Sequence, residues 1–266
     1  MSARIVTVAN QKGGVGKTTT AINLAASLAL ADRRVLAIDI DPQANLTSGL
    51  GLKGEAAPSG TIYQALTAAT IPDFAQYVIG TQVSGLSLVP ADRHLTGAEL
   101  EMVSLDHRET RLRELLRQLV GDYDYIFIDT PPSLGLLTLN GLVAADTVLI
   151  PLHSEYFALE GLADLVATLQ RVRATLNPDL DIEGVLLTMH DGRTNLSQQV
   201  SRDIRDFFKD KVFETVVPRN VRLGEAPSHG LPAILYDVKS RGAEAYVALA
   251  KEILGRDSVA SRSTHG

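Results

Sequence analysis

The chain of 266 residues contains no cysteine, which excludes disulfide bridges and any iron–sulfur cluster held by thiolates. No apolar run approaches the roughly 18 residues needed to span a bilayer. The start, Met1-Ser-Ala-Arg-Ile-Val6, moves straight into an apolar strand without a leader-like segment, so a cytoplasmic location is expected. There is no internal repeat and no low-complexity core. Positive charge is in deficit, with 25 Lys and Arg against 31 Asp and Glu and a formal net charge of −6. That balance at first argues against a nucleic-acid binder. The deficit is unevenly spread, however. Residues 193–241 hold nine Lys and Arg against six acids, which leaves −9 for the remainder. An acidic body with one basic region can still meet phosphate backbones on that face. The length suits one compact domain, and 45% hydrophobic content is ample for a sheet buried on both faces.

What is present is concentrated in residues 10–20, Asn-Gln-Lys-Gly-Gly-Val-Gly-Lys-Thr-Thr-Thr. The segment follows the apolar strand Ile5 to Ala9 and opens a helix from Lys17 to about Ala31, the context in which a glycine-rich loop binds phosphate. Gly13, Gly14 and Gly16, with Val15 among them, let the backbone turn its N–H groups inward. The helix N-terminus adds partial positive charge, and Lys17 supplies a full one. Thr18 is placed to give its hydroxyl to Mg²⁺, and Thr19 follows in the same turn. The ordinary nucleotide loop has Gly five residues before the Gly of its Gly-Lys pair. Here that position is Gln11, and a second lysine, Lys12, stands directly before Gly13-Gly14. Two lysines with shifted glycines make the deviant Walker A form.

Two further segments complete a nucleotide site. Val35-Leu-Ala-Ile-Asp39 is a short apolar strand ending in a carboxylate, followed by Ile40-Asp41-Pro42-Gln43. Tyr125-Ile-Phe-Ile-Asp129 is another, followed by Thr130-Pro131-Pro132-Ser133. Strand-terminal carboxylates sit at the carboxyl edge of a parallel sheet, where the phosphate loop also opens. Asp129 suits the Walker B role of holding Mg²⁺ through water. Asp41, two residues beyond its strand, is free to orient an attacking water. Any one of these aspartates would also suit a helix cap; three segments in the right order point to the site.

The whole chain alternates strands with helices. Strands are expected near 4–9, 35–39, 86–90, 125–129, 147–151, 182–188 and 212–217. Helices are expected near 17–31, 61–68, 95–104, 107–120, 135–144, 159–176, 196–208 and 241–254. Apolar runs followed by amphipathic stretches indicate an α/β fold, a doubly wound and mostly parallel sheet with helices on both faces. In the first helix, Ile22, Ala25, Ala26 and Ala29 form one apolar face. The domain is expected over residues 1–254, with 255–266 a polar, disordered tail. The six histidines show no i,i+4 pairing and no nearby carboxylate cluster, so none is assigned a catalytic or metal-binding role.

Lys12-Gly-Gly-Val-Gly-Lys-Thr-Thr19, Asp39-Ile-Asp-Pro-Gln43 and Ile128-Asp-Thr-Pro-Pro132 together resemble the ParA/MinD family of deviant Walker ATPases. Thr47-Ser-Gly-Leu-Gly51, Glu155-Tyr-Phe-Ala-Leu-Glu-Gly161, Gly184-Val-Leu-Leu-Thr188, Arg193-Thr-Asn-Leu-Ser197, Pro218-Arg-Asn-Val-Arg222 and Glu225-Ala-Pro-Ser-His-Gly230 resemble its chromosomal ParA (Soj) branch. The resemblance covers roughly residues 2–254. It implies an ATP- and Mg²⁺-dependent homodimer in the cytoplasm, associated with the nucleoid. Such a dimer binds double-stranded DNA without sequence preference and hydrolyses ATP when stimulated by a ParB-like partner.

The resemblance also implies residue roles. Lys12 would cross the dimer interface to the partner's ATP, and Glu155 would contact nucleotide or partner there. Pro218 and Asn220 would line the adenine pocket. Arg193 and Arg222 would lie on the DNA-binding surface, extended by Lys239 and Arg241 on local charge. Within the same superfamily, a MinD-like membrane-associated regulator would need a basic amphipathic helix at its end. Residues 255–266 offer only Val259 and Ala260 as apolar side chains. A plasmid-type helix-turn-helix domain would not fit in the nine residues before Asn10. A metal-chaperone or cluster-assembly ATPase is disfavoured by the absence of cysteine.

Overall fold

The protein is described from a computed structural model, which covers residues 2–153 and 158–263. Among the described residues eight strands form one sheet. They are β1 (Arg4–Val8), β2 (Val35–Asp39), β3 (Ile79–Gly80), β4 (Leu86–Val89), β5 (Tyr125–Asp129), β6 (Thr147–His153), β7 (Asp181–His190) and β8 (Val212–Pro218). Their order across the sheet is β3-β4-β2-β5-β1-β6-β7-β8. Every neighbouring pair is parallel except β3 with β4. The doubly wound expectation holds, with β3 as an antiparallel edge of two residues, too short for a sequence pattern to reveal.

The helices are α1 (Lys17–Ala29), α2 (Asn45–Gly49), α3 (Ile62–Thr67), α4 (Leu95–Glu101), α5 (Arg111–Leu116) and α6 (Leu136–Ala144). They continue with α7 (Ala158–Thr175), α8 (Asn195–Phe208), α9 (Val221–Glu225), α10 (Ala233–Tyr236) and α11 (Arg241–Ser263). The one-turn helices α2, α9 and α10 are absent from the sequence expectation, because a single turn shows no 3.6-residue periodicity. Two expected helices are shorter, since 102–104 and 108–110 are 3₁₀ turns.

Two apolar layers cover the sheet. On one face Leu112, Leu137, Leu142, Leu165 and Ile204 pack around Ile38, Ile128 and Ile150. On the other, Ile22, Leu24, Leu28, Leu46, Tyr246 and Leu249 pack around Val8, Ala37 and Phe127. The expected single apolar face of α1 is too narrow. Eleven of its thirteen residues are buried, because α2 and α11 cover the side that turns away from the sheet. A helix enclosed in this way is apolar nearly all round.

The tail expectation is corrected. α11 continues to Ser263 rather than ending at 254. The Arg256 guanidinium lies 4.5 Å from the centre of the Phe213 ring and bonds Glu252 at 2.9 Å. Asp257 accepts hydrogen bonds from Arg4 and the Tyr125 hydroxyl. The Asp257 contacts, at the amino ends of β1 and β5, are tertiary, so a polar composition did not reveal them. Among the described residues no helix is long and apolar enough to cross a membrane.

Candidate nucleotide site

Strand register assembles the site. Val8 pairs with Asp129 across β1 and β5, and Asp129 pairs with Asp39 across β5 and β2. The phosphate loop therefore leaves the sheet beside both strand-terminal carboxylates, at the carboxyl edge. Asn10 braces the loop: its amide donates to the Pro151 carbonyl at 2.8 Å, and its Oδ1 accepts the Lys12 N–H at 2.9 Å. Gly14 (φ +73°) and Gly16 (φ +89°) occupy the left-handed region, which a Cβ would strain. Gly13 has no such φ, and a Cβ built on it meets nothing within 4 Å. Val15 is buried and offers the loop its backbone; its carbonyl accepts from the Thr188 hydroxyl at 2.8 Å.

Lys17 is buried at 7% exposure, and its Nζ donates to the Lys12 carbonyl at 3.2 Å. Burial lowers its pKa, opposed by the charges of Asp129 and Asp41. Thr18 donates its hydroxyl to Asp129 Oδ2 at 2.7 Å. Asp129 is fully buried, and its Oδ1 has no hydrogen-bond partner among the described residues. Burial, then the neighbouring charge of Asp39, pushes the Asp129 pKa well up. Buried oxygen acceptors lacking partners are unusual, and carboxylate and hydroxyl oxygens are the hard donors that Mg²⁺ prefers. The residues present thus fit that ion.

Asp41 is buried at 6% exposure and accepts the Gln43 N–H at 2.9 Å. A pocket of about 490 Å³ opens over these groups. It is lined by Gly13, Gly14, Gly16, Lys17, Thr18, Thr19 and Asp41, and on its far side by Thr188, Met189, Pro218, Arg219, Asn220 and Tyr246. Pro218 and Asn220 are among these lining residues. Asn220 Oδ1 also caps α9 by accepting the Arg222 N–H at 2.9 Å. Lys12 is not among the lining residues of this pocket. Glu155 lies outside the described residues.

The expected DNA residues are all exposed, but two are engaged by acids. Arg193 bonds Asp191 at 2.7 and 2.8 Å. Arg222 reaches Glu225 at 2.7 Å and Asp237 at 3.2 Å. Such exposed pairs are screened by solvent and contribute little, so they leave the guanidinium groups accessible to other anions. His190 pairs with Pro218 across β7 and β8, so the segments bearing Arg193 and Arg222 follow neighbouring strands at one edge of the sheet. Lys239 and Arg241 frame the start of α11 and carry no ion pair among those described.

Sequence reasoning missed Met189 and Tyr246 of the pocket. Met189 lines the pocket from a left-handed backbone (φ +47°), a strain common at functional sites. Tyr246 approaches from α11, over two hundred residues from the loop, where its hydroxyl meets the Thr20 hydroxyl at 3.0 Å. Nothing in the local sequence signals it.

A phosphate loop feeding a helix, with strand-end carboxylates beside it on a mostly parallel sheet, defines a P-loop nucleotide-hydrolase architecture. Residues 3–182 match the family model described as AAA domain. The chromosome partitioning protein ParA of Myxococcus xanthus is 57% identical over 255 residues, 96% of this chain and 89% of that protein. The sporulation initiation inhibitor protein Soj of Bacillus subtilis is 54% identical over 250 residues, 94% and 98% of the two chains. The chain belongs to the ParA/Soj family of chromosome-partitioning ATPases. Among solved structures, cobyrinic acid a,c-diamide synthase from Mycobacterium smegmatis, with bound ATP analog and magnesium, is similar at a TM-score of 0.80 and 37% identity. That similarity covers 95% of this chain and 94% of that one.

Proposed function

We propose that this protein partitions DNA by an ATP-driven cycle of dimerisation, DNA binding and release. The single observation that carries the reading is the Thr18–Asp129 hydrogen bond, with the second Asp129 oxygen unpaired among the described residues, beside buried Lys17 in a pocket of nucleotide size. Lys17 and the loop amides hold the phosphates. Thr18 and, through water, Asp129 would hold Mg²⁺, which supplies charge against the phosphates when bound. Asp41 orients the attacking water, a role expressed in the transition state more than in binding. Pro218 and Asn220 take the base. Lys12 reaches the nucleotide of a second copy, as a trans cation does in related phosphoryl transfer.

The ATP-bound homodimer then binds double-stranded DNA without sequence preference through Arg193, Arg222, Lys239 and Arg241, and acts at the nucleoid. Two copies of a weak basic patch work as one site at high effective concentration. A ParB-like partner stimulates hydrolysis and thereby releases the DNA. The deciding experiment is a duplex-DNA binding assay with ATP, with ADP and without nucleotide, at two salt concentrations. Binding that requires ATP and falls steeply with salt supports the cycle. Equal binding in all three states refutes it.

A further inference from the structure

Asp39 lies beside Asp129 in the sheet, yet it does not line the pocket and is fully buried. Its oxygens are already committed. Oδ1 accepts the backbone N–H of Asp41 at 3.1 Å. Oδ2 accepts both the N–H and the hydroxyl of Thr47, at 2.9 and 2.7 Å. The same Thr47 hydroxyl accepts the Ala91 N–H at 3.0 Å, so it bridges α2 to the segment that follows β4. Thr47 is 1% exposed.

The element that carries Thr47 is held at two glycines. At Gly49 a Cβ would come within 2.4 Å of the Ile22 side chain on α1. Gly51 has φ +80°, and its Cβ would lie 3.0 Å from the Gly230 carbonyl oxygen. The hydroxyl therefore acts from a packed turn rather than from a loop free to shift. Precise placement of a catalytic group depends on such support, and a displacement of about 1 Å costs up to about 100-fold in rate.

We propose that Thr47 is a positioning residue for ATP hydrolysis, fixing the Asp39 carboxylate, which in turn fixes the backbone of Asp41 so that its carboxylate faces the nucleotide. The proposal rests on the role given above to Asp41. It assigns Asp39 to holding that residue and leaves it no part in orienting water. No bond to the nucleotide is asked of Thr47, so its loss should appear in turnover and not in affinity.

The test uses the full chain with ATP, Mg²⁺, duplex DNA and the ParB-like partner, and reads kcat and ATP affinity separately. Thr47→Val keeps the side-chain shape and the backbone N–H but lacks the hydroxyl. It should lower kcat about tenfold while ATP affinity and ATP-dependent dimerisation stay within about twofold. Thr47→Ser should restore kcat to within about twofold of the wild type. In an Asp41→Ala background, Thr47→Val should remove no further rate. An unchanged kcat in Thr47→Val overturns the proposal, as does a parallel fall in kcat and affinity that Ser does not rescue. If Thr47→Val does not fold, Asp39→Asn takes its place, since an amide cannot accept at both ends. It should lose turnover and keep affinity, and unchanged turnover overturns the proposal. Wild-type turnover in Asp41→Ala alone would instead refute the Asp41 assignment, and with it the proposal.

Discussion

Gly13→Val should separate nucleotide binding from the proposed dimerisation, because the three loop glycines are not equivalent. Gly14 and Gly16 need left-handed φ angles, whereas Gly13 does not, and a Cβ there meets nothing within 4 Å in the single chain. A valine at 13 should therefore cost the monomer little, within about 0.5 kcal/mol as for a surface change. Its ATP affinity should stay within about threefold. In a twofold dimer whose loops face each other, one substitution introduces two valines. Each added side chain overpacks its interface by about 1–3 kcal/mol, or about 2–6 kcal/mol per dimer, a weakening of roughly 30-fold to 10⁴-fold. Calorimetry would measure ATP affinity, and sedimentation velocity with ATP would measure the dimer. A normal ATP-dependent dimer would refute the facing-loop arrangement. Loss of ATP binding by the monomer would refute the claim that this position is open.

Lys17→Ala removes the buried cation whose hydrogen bonds to two phosphate oxygens would contribute about 3–6 kcal/mol together; ATP affinity should fall by 100-fold or more, and wild-type affinity in calorimetry would contradict the phosphate-loop assignment. Arg193→Ala with Arg222→Ala should remove four phosphate contacts per dimer. The slope of log affinity for DNA against log salt should then shrink by about 3–4, with ATP binding intact, and an unchanged slope would place the patch elsewhere. Burial pushes the Asp39 pKa up to about 6, against an ordinary 3.8. The folded protein then holds a proton between those values that the unfolded chain has released, so this contribution to stability is present at low pH and is lost as pH rises through about 6. Relative to Asp39→Asn, the nucleotide-free wild type should gain stability as the pH falls from 7 to 5; urea unfolding showing a constant difference would refute the burial argument.

The sequence by itself determined the phosphate loop, the two strand-end carboxylates and the alternation that makes a parallel sheet. Those features are local: a glycine pattern sets backbone freedom, an apolar run sets a buried strand, and the residue ending that run falls at the sheet edge. Gly14 and Gly16 could be read from the chain for that reason, as could Asp39, Asp41 and Asp129. The sequence also set Asp41, two residues past its strand, apart from the strand-ending Asp39. Only the position of Thr47 showed that the Asp39 oxygens are saturated inside the fold while Asp41 lines the pocket. Packing likewise brought Tyr246 from α11 to the nucleotide pocket, engaged Arg222 with Asp237, and anchored Asp257 to Arg4 and Tyr125. Each of those contacts joins residues 15 to 253 positions apart, a separation at which composition and periodicity carry no signal. Tertiary structure decided them because hydrogen bonds and ion pairs depend on distances that only the closed sheet and its two helical layers set.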